Sequence, residues 1–179
     1  MVPRNPNTHG GGAKTNENGL NFEHRTDLKA ALQQAGFTVT DEQIVTKESN
    51  QYGFLCRPNT FDLYTKFLLP RGIHYAEYNS KRWKPDEAFI NETNQTVYII
   101  EKKTQATYGS VDEKLGGCEF KRWEYEKLVA PLHYNVVYMY VFSDWFRKPV
   151  YRDILEYIES KCVPYFWSTI PLTALGLSK

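Results

Sequence analysis

The sequence predicts an α/β domain whose central mixed β-sheet is flanked by helices. Three observations predict it. Residues 135–142 (NVVYMYVF) are apolar at every second position on both faces, as a central strand covered on both sides must be. Ala88-Phe89-Ile90 and Val97-Tyr98-Ile99-Ile100 are apolar runs joined by the polar stretch Asn91 to Thr96, the pattern of a β-hairpin. Apolar stripes at helical spacing lie before, between and after these segments.

The elements follow in order. Residues 1–19 (MVPRNPNTHGGGAKTNENG) are polar and glycine-rich, flexible by composition or ordered only by a partner. A helical pattern begins at Asn18: Leu20, Leu28, Ala31, Leu32 and Ala35 share one side, and Gly36 suits the stop. Residues 40–80 contain Pro58, Pro70 and two glycines and are expected to form short strands and loops. After the hairpin, Ser110 and Glu113 form a capping box that opens a helix within GSVDEKL. Gly116-Gly117 interrupts that helix, Phe120, Trp123 and Leu128 mark its resumption, and Pro131 ends it. Pro149 suits a further helix start, with Tyr151, Ile154, Leu155 and Ile158 as its stripe and Cys162 near its end. Val163 to Trp167 reads as a last strand. No repeat is visible, so residues 20–179 form one domain.

Composition sets limits. A chain of 179 residues can bury a substantial core, and 41% hydrophobic with 15% aromatic residues argues against disorder. The formal charge of +1 does not announce a nucleic-acid partner, so such a partner must be argued from local clusters. These are Lys81-Arg82-Trp83-Lys84, Lys102-Lys103, Lys121-Arg122 and Arg147-Lys148, each of which also suits an ordinary solvated face. Cys56, Cys118 and Cys162 are widely spaced and odd in number, which fits neither a zinc knuckle nor a disulfide framework. His9, His24, His74 and His133 also lack metal-ligand spacing. No stretch has the pattern of a signal peptide or a membrane span, so a soluble cytoplasmic protein is expected.

The hairpin carries the chemistry. With Asn91 opposite Thr96, the register sets Ala88 opposite Ile99 and Asp86 opposite Glu101. Alternation along the second strand puts Glu101 and Lys103 on one face with Val97 and Ile99. Directly opposed carboxylates lie roughly 4.5–5.5 Å apart at Cβ and repel, so a positive charge is expected between them. A divalent cation fits, and Mg2+ in particular takes few carboxylates and leaves positions for phosphate oxygens. Lys103 lies about 6–7 Å along the strand from Glu101. Metal-assisted phosphodiester hydrolysis is the chemistry that such a trio serves, with Lys103 orienting the nucleophile or neutralising charge. A surface ion pair next to a Pro-Asp turn is the alternative account of the same residues.

Pro85-Asp86, followed after fourteen intervening residues by Glu101-Lys102-Lys103, resembles the signature of the PD-(D/E)XK nuclease superfamily, and within it the type II restriction endonucleases. Residues 10–23 (GGGAKTNENGLNFE), GSVDEKL (109–115), YVFSDWF (140–146) and IPLTALGL (170–177) are similar to segments of that group. The resemblance implies a restriction-endonuclease-like sheet, dependence on Mg2+ and cleavage of double-stranded DNA. It implies Asp86 and Glu101 as metal ligands, the Lys102 carbonyl as a third, Lys103 as catalytic lysine and Glu23 as a supporting helical acid. Gln105 and Lys114 would meet the phosphate backbone. Gly116-Gly117 departs from the polar helix formers expected after GSVDEKL.

Lys14, Arg82, Lys84 and Lys114 are the candidates for phosphate contacts, and Arg71, Asn50, Gln51 and Asn79 for base edges. A symmetric recognition site would imply a two-fold homodimer, and a monomer could instead nick the strands in turn. Two alternatives stand beside the restriction enzyme: a repair or recombination nuclease of the same fold, and a non-catalytic DNA-binding protein.

Overall fold

The computed structural model describes residues 22, 26–105 and 111–177. The strands are β1 (Thr38–Val39), β2 (Ile44–Lys47), β3 (Asn50–Cys56), β4 (Glu87–Asn91), β5 (Thr96–Lys103), β6 (Asn135–Phe142) and β7 (Tyr165–Trp167). They form a seven-stranded sheet in sequence order. Pairing is antiparallel from β1 to β5, while β6 and β7 run parallel to β5. The helices are α1 (Leu28–Gln34), α2 (Val111–Leu115), α3 (Cys118–Val129) and α4 (Arg152–Ser160). The fold is therefore α/β with a mixed sheet between helical layers, as the sequence predicts.

Two cores lie on the two faces of the sheet. On one, Val97, Ile99, Tyr138, Tyr140 and Phe142 pack with Tyr125 and Leu128 of α3 and Ile158 of α4. On the other, Phe89, Tyr98, Ile100, Met139 and Val141 pack with Leu28 and Leu32 of α1 and with Leu175 and Leu177. Residues 138–142 of β6 are buried on both faces, which is why that segment reads as an unbroken apolar run.

The differences from expectation have local causes. Of the helix expected from Asn18, the described part includes Leu28–Gln34, where Asp27 is extended and caps α1, its carboxylate accepting the Ala30 N–H at 2.8 Å. Earlier positions of that helix, Leu20 among them, lie outside the described residues, as does Ser110 of the capping box. Residues 40–56 form strands as expected, but 63–71 wind into helical turns rather than loops. Leu63, Tyr64, Phe67 and Leu68 are buried there, and Pro70 falls in the first turn of the second piece, where its missing N–H is harmless. Gly53 is required by close approach: a Cβ there would overlap the Ile90 carbonyl of β4. All three cysteines are free, Cys56 and Cys118 buried and Cys162 exposed. Among the described residues no helix is long and apolar enough to cross a membrane.

Candidate metal and catalytic site

The hairpin forms in the register that its polar turn dictates. Asn91 pairs with Thr96, Ala88 with Ile99 and Glu87 with Ile100, which carries Asp86 beside Glu101 just beyond the last pair. The Asn91 side chain secures the turn, its oxygen accepting from the Thr93 N–H and hydroxyl while its amide donates to the Leu175 carbonyl.

At the opposite end of the hairpin, four charged side chains converge. Lys103 Nζ lies 2.8 Å from Glu101 Oε2, 3.4 Å from Asp86 Oδ2 and 3.2 Å from the Lys102 carbonyl oxygen. Asp86 Oδ2 also accepts the Lys102 backbone N–H at 2.7 Å, which fixes the carboxylate against β5. Lys121 of α3 reaches Glu101 Oε2 at 3.4 Å. The Glu101 side chain is 7% exposed, whereas those of Asp86, Lys103 and Lys121 remain open to solvent at 31%, 24% and 25%. Burial alone would lower the Lys103 pKa, but Glu101 and Asp86 outweigh it and hold the ammonium above the ordinary lysine value.

The positive charge expected between the opposed acids is supplied in this structure by Lys103. Lys103 and Lys121 bring two positive charges to two carboxylates, so the chain balances its own site. The lowered pKa that Lys103 would need as a general base is absent in this arrangement. The donor set itself suits a hard cation: the three oxygens assigned to Mg2+ all face one positively charged atom. Among the described residues no three His, Cys, Asp or Glu side chains converge, so the protein donors are two carboxylates and one peptide carbonyl.

Lys102 divides between the two faces of the sheet. Its peptide unit belongs to the site, while its ammonium crosses to the other face and pairs with buried Glu87 at 3.0 Å. Glu87 also accepts the Leu28 N–H at 3.2 Å and so ties α1 to β4. Burial pushes the Glu87 carboxyl pKa up, and the Lys102 charge only partly opposes it.

The other candidates are scattered. Glu23 and Lys14 lie outside the described residues. Arg82 stacks on Phe61 at 3.7 Å and Lys84 sits 5.4 Å from the same ring, both on the segment that leads into Asp86. Lys114 is exposed on α2, and Gln105 is half-buried just after β5. Asn79 is buried and donates to the Glu124 carbonyl at 2.9 Å, so it is a structural residue and not a base reader. Gln51 and Arg71 both bind Glu92, at the turn end of the hairpin and away from Asp86.

Sequence reasoning missed Lys121 as a site residue. The available signal was its spacing from Tyr125 and Leu128, four and seven residues on, which sets a lysine on the buried stripe of α3. Trp83 lies against it, the Lys121 ammonium 5.2 Å from the indole, and the Trp83 N–H donates to buried Glu124. No protein family, curated protein or solved structure matches the chain.

Proposed function

We propose that the chain is a magnesium-dependent endonuclease that hydrolyses phosphodiester bonds of double-stranded DNA, with a restriction-endonuclease-like fold and site-specific cleavage. One observation carries this reading: Asp86 Oδ2, Glu101 Oε2 and the Lys102 carbonyl oxygen gather around a single cationic atom beside a partly open surface. Those three oxygens would hold the Mg2+, which when bound supplies Lewis-acid polarisation of the phosphoryl group and a water of lowered pKa. Lys103, kept protonated by its neighbours, stabilises negative charge that develops on the phosphate oxygens. Lys121 brings a second cation to the same Glu101 oxygen and helps to orient that buried carboxylate. Arg82 and Lys84 supply positive charge where the strand would enter. A two-fold homodimer would let each subunit cut one strand.

The test is digestion of plasmid and genomic DNA with the purified chain and Mg2+, followed by sequencing of the ends. Fragments that share one short site support the restriction enzyme. Cutting confined to branched or mismatched DNA would replace it with a repair nuclease of the same fold.

A specific observation favours a second reading. The balance of two carboxylates against two ammonium groups leaves the cluster satisfied without a metal, as a DNA-binding protein without chemistry would have it. If the unmutated chain binds DNA but cuts none of any sequence in Mg2+, that reading wins.

A further inference from the structure

A cavity of about 220 Å3 opens beside the segment that leads into Asp86. Its walls include Tyr64, Leu69, Ile73, His74 and Tyr75, with Arg82 among the lining side chains. Tyr64 and Tyr75 meet edge to face, ring centroids 6.0 Å apart. The Arg82 guanidinium carbon sits 3.7 Å from the Phe61 ring, 5.3 Å from Tyr75 and 5.8 Å from Tyr64, and among the described residues it has no carboxylate partner. Lys84 stands 5.4 Å from the same Phe61 ring. The volume corresponds to about seven waters, the scale of one nucleobase.

We propose that this cavity receives a single unstacked nucleobase of the DNA substrate, with Arg82 and Lys84 on the phosphates beside it; the inference rests on the nuclease reading and names its substrate more narrowly. Aromatic walls with a cationic rim match a planar heterocycle joined to a phosphate. Base-on-aromatic stacking tolerates any base because every base has a π-face. An apolar peptide would not use the unpaired guanidinium, and an inorganic anion would not use the rings.

The location ties the cavity to the chemistry. Arg82 and Asp86 are four peptide steps apart, so their Cα atoms lie within about 15 Å, or about four base steps along one strand. A base held here would set the register of the backbone over the carboxylates. Substrates whose base is already unpaired avoid the unstacking penalty and should bind best.

The experiment uses fluorescein-labelled duplexes without divalent metal, one fully paired and one with a single bulged adenine, and reads affinity by anisotropy. The wild type is expected to bind the bulged duplex about tenfold more tightly. Leu69→Trp, a filling substitution at a residue 49% exposed and so tolerant of bulk, should abolish the preference, with circular dichroism checking that the fold is kept. Tyr75→Ala should do the same by removing a wall. Equal affinities in the wild type, or a preference that survives Leu69→Trp, would overturn the cavity assignment alone. No binding to either duplex would overturn the nuclease reading and the cavity's ligand with it.

Discussion

Lys103→Met separates the charge-balancing role of the lysine from its proposed catalytic one. Lys103 Nζ lies within 2.8 Å of Glu101 Oε2 and 3.4 Å of Asp86 Oδ2. Those two oxygens are therefore at most about 6 Å apart, and at an effective dielectric constant of about 20 their repulsion is about 3 kcal/mol. Methionine keeps the packed stem but removes the charge, leaving Lys121 as the remaining cation on Glu101. The variant should lose about 3 kcal/mol of stability in EDTA, which for a domain of this size lowers Tm by roughly 6–12 °C. Mg2+ should then bind the emptied position more tightly than in the wild type. At about one hundred times its Kd the ion returns about 2.7 kcal/mol, so Tm should recover most of the loss. Differential scanning calorimetry with and without Mg2+ reads both numbers, and cleavage should stay below detection throughout. A Tm in EDTA equal to that of the wild type, or no greater response to Mg2+, would refute the argument that the carboxylates and Lys103 share one electrostatic site.

Four further outcomes are expected. Glu101→Ala should abolish Mg2+-dependent cleavage, a loss of at least about a thousandfold, while anisotropy shows DNA affinity within about threefold of wild type. Because the Lys103 pKa is raised in the folded state, its stabilising effect should be complete below the ordinary lysine value near 10.5 and vanish only as pH rises through the higher folded value. The stability gap between wild type and Lys103→Met should therefore be flat from pH 7 to pH 9.5 and narrow only in stronger alkali, as urea titrations at several pH values would show. Glu87→Gln should destabilise by about 3–5 kcal/mol because it strands the buried Lys102 charge, and adding Lys102→Met should recover most of that in the same assay. Gly53→Ala should cost about 3 kcal/mol or more in thermal melts, since the new Cβ meets the Ile90 carbonyl.

How much of this the sequence discloses depends on where side-chain pattern and burial agree. The hairpin register was legible because apolar runs of fixed parity flank a turn that Asn91 secures by its own side chain, and β6 because both of its faces are covered. The course of α3 was legible, but its orientation was not. Of the three residues that marked it as a helix, Phe120 and Trp123 are 54% and 51% exposed and only Leu128 is buried, while Glu124 is buried under Trp83 and Asn79. With the aromatic face turned outward, hydrophobicity pointed the wrong way round the helix, and Lys121 could not be aimed at Glu101. The turns at 63–71 stayed hidden because a proline next to a short apolar run reads equally well as a loop. The need for charge compensation was legible from the register, but which amine reaches between the acids depends on rotamers.

Asp86, Glu101, Lys103 and Lys121 all fall within residues 86–121, on the hairpin and at the start of α3. Inheritance of the constellation thus needs no coordination between remote parts of the gene. Recombination elsewhere in the gene would pass the four residues on together.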